Sequence, residues 1–248
     1  MEENNNKTKY TSKPKLKAVN KFLSQAETLR EQKMYKDAVT IYLNAILVDR
    51  TDINSYYGLC LCYKALGNYA KAIKTFGKAT ELKPDFYEAF YEMGICHQLE
   101  GIPCGAIKCF VQAIQINPDN PSAILQLGVS HELCEEEDMA LMIYQKLIEN
   151  TPNFIKAYEY KSSLLMKQKR YRESCGVLID LIKIAPSYAQ AYLGIATCLE
   201  KLGKKSDAQR YYRKFIQQRP QLNQAHFAKT RLQTLKQKAA KKDFLSLV

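Results

Sequence analysis

The sequence has no tryptophan and only three histidines, His97, His131 and His226, in 248 residues. Side chains that carry chemistry are correspondingly sparse. No Gly-rich phosphate loop, G-x-S-x-G or H-E-x-x-H occurs, so the phosphate cradle, the nucleophile elbow and the zinc-peptidase helix have no starting point here. The cysteines, Cys60, Cys62, Cys96, Cys104, Cys109, Cys134, Cys175 and Cys198, form no C-x-x-C pair and no regular metal spacing. No apolar run approaches the ~20 residues that span a bilayer. The opening MEENNNKTKYTSK lacks the apolar stretch of a secretory signal. These absences predict a chain with no catalytic residues, no cofactor, no metal and no membrane span. They also predict reduced structural thiols and a cytoplasmic location.

What is present is a period. Pro84, Pro118, Pro152, Pro186 and Pro220 follow one another at a constant step of 34 residues. Self-similarity at such a step marks a helical solenoid, in which each repeat buries its apolar face against its neighbours. Residues 53–86 show the unit most clearly. Tyr56, Leu59, Tyr63 and Leu66 recur at three- and four-residue steps, one face of a helix. Gly67-Asn68 then offers the left-handed conformation that ends a helix. Tyr69, Ala72, Ile73, Phe76 and Ala79 line the face of a second helix, Leu82 closes it, and Pro84 stops it for want of an N–H.

The same rows run through the chain. A small residue at the helix crossing reads Ala38, Ala72, Ala106, Ala140, Ser174 and Ala208. A large residue four later reads Tyr42, Phe76, Phe110, Tyr144, Leu178 and Tyr212. A third row is Ala45, Ala79, Ala113, Leu147, Leu181 and Phe215, and the first helices are anchored by Phe22, Tyr56, Phe90, Ile124, Tyr158 and Tyr192. With the pairs Leu59-Cys60, Met93-Gly94, Leu127-Gly128 and Ile195-Ala196, these rows resemble the tetratricopeptide repeat family, whose unit has this length.

The resemblance covers Val19–Leu222 as six units, 19–52, 53–86, 87–120, 121–154, 155–188 and 189–222. It implies an all-α fold, a right-handed superhelical solenoid. Residues 1–18 read as a flexible basic tail, 223–240 as an amphipathic capping helix and 241–248 as a terminal tail ending in DFLSLV. Several units depart from the pattern. Arg50 replaces the first proline, Pro103 stands where an aromatic residue is usual, Glu135–Asp138 replaces a Gly-containing turn, and Lys161-Ser162 replaces Leu-Gly. Less regular packing is therefore expected in the fourth and fifth units.

In this family the first helix of each unit lines a concave groove, which makes the implied function a non-enzymatic scaffold or adaptor holding a protein segment. Two rows would face the groove. Tyr57, Leu61, Tyr91, Ile95, Leu125 and Val129 form an apolar stripe, and Lys64, Gln98 and Glu132 continue it as a polar rim. The expected ligand is a peptide or an amphipathic helix of a partner. A carboxylate clamp for heat-shock-protein tails is not expected. The corresponding sets read Leu23, Glu27, Gly58, Glu88, Glu92 and Tyr57, Leu61, Glu92, Ser122, Gln126, which lack the donors such a grip requires. His97 and His131 share one place in adjacent units and are expected to pack between helices.

Charge is unevenly spread within a net +12. Residues 87–154 hold ten acidic side chains against two basic ones, and 155–248 hold twenty basic against six acidic. The basic third, with Lys201, Lys204, Lys205, Arg210, Arg213 and Lys214 followed by Lys236, Lys238, Lys241 and Lys242, supports an alternative. That alternative is weak binding of nucleic acid or another anionic surface, although no base-stacking aromatic pattern accompanies it. A further alternative is a regulatory subunit whose catalysis lies on another chain.

Overall fold

The computed structural model describes residues 13–219 and 223–245. Residues 1–12 and 246–248 of the expected tails, and Pro220, lie outside the described residues. The described residues form thirteen α-helices, and the chain divides into two compact units, Met1–Cys134 and Glu135–Val248.

The first unit holds α1 (Lys13–Glu31), α2 (Tyr35–Val48), α3 (Ile53–Ala65), α4 (Tyr69–Leu82), α5 (Tyr87–Leu99), α6 (Pro103–Ile116) and α7 (Pro121–Leu133). Each helix packs against the next. The rows of small and large residues form the core: Ala38, Tyr42 and Ala45, then Ala72, Phe76 and Ala79, then Ala106, Phe110 and Ala113 are all buried. A small residue lets two helix backbones approach, and the large one fills the space beside it. Full burial of a side chain as large as Phe76 contributes about 1.5–3 kcal/mol.

The second unit holds α8 (Glu137–Asn150), α9 (Ile155–Lys167), α10 (Tyr171–Ile184), α11 (Ala189–Lys201), α12 (Lys205–Gln218) and α13 (Asn223–Leu245). Consecutive helices again pack together. Tyr144, Leu147, Leu178, Leu181, Tyr212 and Phe215 are buried in the same rows. In the fifth repeat, where the Leu-Gly pair is lost, Ser162 is itself small and buried. The Ser174 hydroxyl donates to the Ser162 carbonyl at 3.0 Å, which satisfies the buried oxygen.

The turns between paired helices obey the period more strictly than their residues do. Lys33, Gly67, Gly101, Glu135, Lys169 and Gly203, each one period from the last, all have positive φ, between 60° and 78°. At the second of these, the Gly67 N–H reaches Lys64 O at 3.0 Å and the Asn68 N–H reaches Tyr63 O at 2.9 Å. That pair of bonds is the Schellman closure of a helix. Glu135 thus takes the left-handed conformation where a glycine was expected.

The first repeat ends without proline by a different device. Asp49 caps α2, its N–H bonding Ala45 O at 2.9 Å. The Asp49 carboxylate accepts from Thr51 N at 2.8 Å and Thr51 Oγ1 at 2.6 Å, an Asx turn that leads the chain out of the helix. These two bonds hold the Asp49 carboxyl below its ordinary pKa.

Both ends differ from expectation. Helix α1 begins at Lys13 rather than Val19; Pro14 lies in its first turn, where a missing N–H costs nothing. The cap α13 runs to Leu245, beyond the expected end at 240. It is held by buried Ala225, Ala228, Leu232 and Leu235, and Phe227 is exposed. Glu200 on α11 ties the cap down. It accepts from Arg231 Nε at 3.2 Å and from Tyr212 Oη at 2.8 Å, and also pairs with Arg231 Nη2.

Candidate functional site

The odd-numbered helices α3, α5 and α7 of the first unit carry every residue of the predicted stripe. Of Tyr57, Tyr91 and Leu125, expected to be exposed, Leu125 is buried, whereas Tyr57 and Tyr91 are half-buried and make ring contacts. Leu125 is only 3% exposed. The Tyr57 ring lies 5.0 Å from Phe86 and 6.1 Å from the core ring of Phe76. Tyr91 lies 5.8 Å from Phe110 and stacks on Tyr87 at 6.0 Å. Burial pushes the Tyr57 phenol up to about 12, and Glu92 and Glu88 add to the shift. Burial also raises Tyr91, with a contribution from Glu92.

The second row, Leu61, Ile95 and Val129, is half-buried and reaches the surface. Two of the three rim residues are engaged between repeats. Lys64 Nζ meets Glu92 Oε2 at 2.5 Å. Gln98 Nε2 donates to Ser130 Oγ at 3.0 Å and to Gln126 O at 3.3 Å. Their first role is to cross-link neighbouring repeats. Glu132 is half-buried on α7. Leu61 and Lys64 open on a cavity of about 420 Å³ that Arg30, Tyr35, Tyr69 and Leu99 also line.

The second unit holds a cavity that the sequence reading did not anticipate, of about 260 Å³. Leu178 and Gly194 both line it and are closely packed: a Cβ built on Gly194 would lie 2.7 Å from Leu178 Cδ1. Met166, Leu193 and Phe227 add apolar wall, and Glu159, Gln190 and Thr197 add polar edges. The Tyr188 hydroxyl donates to Glu159, and burial together with this carboxylate pushes the Tyr188 phenol up to about 12. The available signal was Gly194, in a row that also holds Gly58 and otherwise reads Glu92, Gln126 and Tyr160.

His97 is half-buried, its ring packed over Gly105, where a Cβ would lie 2.5 Å from His97 Nδ1. That nitrogen is buried without a hydrogen-bond partner, and burial lowers the His97 pKa. In the preceding repeat the same two places hold Tyr63 and Lys71, with the ammonium 5.7 Å from the ring. His131 is half-buried and His226 exposed. Among the described residues no three His, Cys, Asp or Glu side chains gather as a metal site, and no helix is long and apolar enough to cross a membrane.

In the basic third, Lys201, Lys204, Lys205, Arg210, Arg213 and Lys214 are exposed. Arg210 lies 5.4 Å from the Tyr211 ring, and Lys214 lies 5.7 Å from both Tyr192 and Tyr211. These cations cover aromatic faces of their own unit. The side chains of Lys236, Lys238, Lys241 and Lys242 lie outside the described residues.

Comparison with known proteins agrees with the repeat reading. The tetratricopeptide repeat family model matches residues 53–86, and a second model of the same repeat matches 190–221. No curated protein sequence matches the chain. Solved structures share the fold. MamA of Desulfovibrio magneticus superposes with a TM-score of 0.63 at 15% identity, covering 69% of this chain and 97% of its own. PilF of Pseudomonas aeruginosa gives 0.63 at 13% identity, covering 88% and 99%. YrrB, described as a tetratricopeptide repeat protein with an unusual peptide-binding site, gives 0.57 at 20% identity, covering 76% and 97%. At these identities the likeness concerns the fold, an all-α solenoid of helix-turn-helix repeats. Residues 53–86 and 190–221 are thus tetratricopeptide repeats, and the unbroken period of core rows and these neighbours agree with a solenoid built of such units.

Proposed function

We propose that this protein is a non-enzymatic interaction scaffold that holds a segment of a partner protein against the exposed faces of α3, α5 and α7. The observation that carries this reading is the surface row Leu61, Ile95 and Val129. It is three apolar side chains, one per repeat, half-exposed between cross-linked helices, with Leu61 opening on the adjoining cavity. Apolar side chains in register, edged by polar groups, suit the apolar face of a helix or an extended peptide. Tyr57 and Tyr91 are half-buried on the same helices, and Leu125 is buried. The peptide-binding site named for YrrB shows that one protein of this fold takes a peptide.

The test is retention of partners from a native lysate by three forms of the chain with equal helicity by circular dichroism. These are the wild type, a Leu61→Glu, Ile95→Glu, Val129→Glu variant, and a Lys205→Glu, Arg213→Glu, Lys214→Glu variant. A partner lost from the first variant and kept by the second supports the proposal. A partner kept by the first and lost from the second overturns it and moves binding to the basic helix α12.

A further inference from the structure

Two of the eight cysteines are unlike the rest. Cys60, Cys62, Cys96, Cys109, Cys175 and Cys198 are buried, whereas Cys104 is exposed and Cys134 half-buried. The two sulfur atoms of this accessible pair lie 3.7 Å apart. Cys104 is the second residue of α6, after Pro103, and Cys134 caps the end of α7. Burial raises the thiol pKa of all six others, so those are poor nucleophiles as well as inaccessible ones.

The juxtaposition is not a by-product of the period. One repeat earlier the same two places hold Ala70 and Glu100, and two repeats later they hold Arg172 and Leu202. Only here does the chain put sulfur at both. A disulfide bond is about 2.05 Å long, so closure asks for less than ~2 Å of approach, which side-chain rotation can share between the two residues. Cys104 starts a helix and Cys134 ends one, so neither sits in mid-helix, where adjustment would meet the most resistance.

We propose that Cys104 and Cys134 form a reversible dithiol–disulfide site, oxidised by a low-molecular-weight disulfide such as oxidised glutathione. The Cys104 thiolate attacks one sulfur of the disulfide, breaking its S–S bond and releasing one thiol. The Cys134 thiolate then attacks Cys104 Sγ and releases the second thiol. Two protein thiols are oxidised, one small disulfide is reduced to two thiols, and the two protein protons end on those products. The new bond ties the start of α6 to the end of α7, clamping the segment that carries Leu125 and Val129. It joins residues 30 apart in sequence.

The test equilibrates the full-length chain in graded ratios of reduced to oxidised glutathione, quenches with acid and an alkylating agent, and maps the cysteines by non-reducing peptide mass spectrometry. The expected product is one intrachain link between Cys104 and Cys134, reversed by dithiothreitol, with the other six cysteines alkylated only after denaturation. The Cys134→Ser variant should stop at a glutathione adduct on Cys104. Three wild-type outcomes overturn the proposal: a glutathione adduct on Cys104 that never resolves, a Cys104–Cys104 dimer, or oxidation spread over the buried thiols. No oxidation at any ratio overturns it as well.

Discussion

Glycine does two different jobs in this solenoid, at the turns and at the helix crossings. At the turn, Gly67 has φ of 73° and nothing within 4 Å of where a Cβ would be. Its conformation is special and its surroundings are open. At the crossing, Gly94 has an ordinary helical backbone, but a Cβ there would lie 2.7 Å from Cε1 and Cζ of Phe110. Its conformation is ordinary and its surroundings are closed. The chain itself shows how replaceable each is. Lys33, Glu135 and Lys169 adopt the turn conformation with full side chains. At the crossing row, Cys60, Ser162 and Ala196 carry a Cβ, and the row that holds Phe110 has Phe76, Leu178 and Tyr212 in those repeats. The turn is therefore imposed by helix packing and its Schellman bonds, at some backbone cost. The crossing is negotiated between two side chains, so its cost depends on whether the facing group can withdraw.

The crossing should show the larger effect. Gly94→Ala forces the buried Phe110 ring to move, and overpacking of this kind costs about 1–3 kcal/mol. It should appear as a lowered urea midpoint by circular dichroism. Adding Phe110→Leu recreates the small-residue/Leu pairing of Ser162 and Leu178. Neighbouring substitutions of this sort couple by about 0.5–3 kcal/mol, so the double variant should lose less than the two single losses combined. Strict additivity would mean that Phe110 withdraws without resistance and that the close approach is not a constraint.

The next effect belongs to the turn. Gly67→Ala meets no atom within 4 Å, so its whole cost is the left-handed backbone, about 1 kcal/mol. A loss as large as that of Gly94→Ala would mean that the turn is less open than its geometry indicates. Amide hydrogen exchange at Asn68, whose N–H closes the turn onto Tyr63 O at 2.9 Å, should quicken along with the loss of stability.

The same contrast explains what could be read from the sequence. Core rows such as Tyr42, Phe76, Phe110, Tyr144 and Tyr212 were legible because burial restricts residue type at every repeat of the period. The turns were legible only where glycine marks them. Lys33, Glu135 and Lys169 carry no propensity signal, because tertiary packing overrides their preference. Periodicity placed Tyr57, Tyr91 and Leu125 on the correct helices but could not reveal the burial of Leu125 or the contacts of Tyr57 with Phe86 and of Tyr91 with Tyr87 and Phe110, because it fixes direction and not the depth of the neighbouring side chains. The cavity lined by Glu159, Leu178, Gly194 and Phe227 was hidden for a related reason: it gathers residues of four helices whose spacing follows no motif. The Cys104–Cys134 contact joins the start of one helix to the end of the next, a spacing unlike any cysteine motif.

The smallest effect is also the sharpest check, because it runs against the usual direction of glycine substitutions. Lys169 holds φ of 60° with an exposed side chain. Its N–H bonds Met166 O at 3.0 Å, and the next N–H, of Arg170, bonds Leu165 O at 2.9 Å, so the turn is already closed by backbone alone. Replacing Lys169 by glycine keeps both bonds and relieves a left-handed cost of about 1–2 kcal/mol. It also frees the unfolded chain, which removes about 0.4–1 kcal/mol of that gain. The expected net result of Lys169→Gly is a stabilisation of about 0.5 kcal/mol, seen as a small rise in urea midpoint with unchanged helicity. A fall instead would mean that the lysine side chain contributes to this turn in its own right. The three non-glycine turns would then be specified locally by their own side chains rather than tolerated because the packed helices impose them.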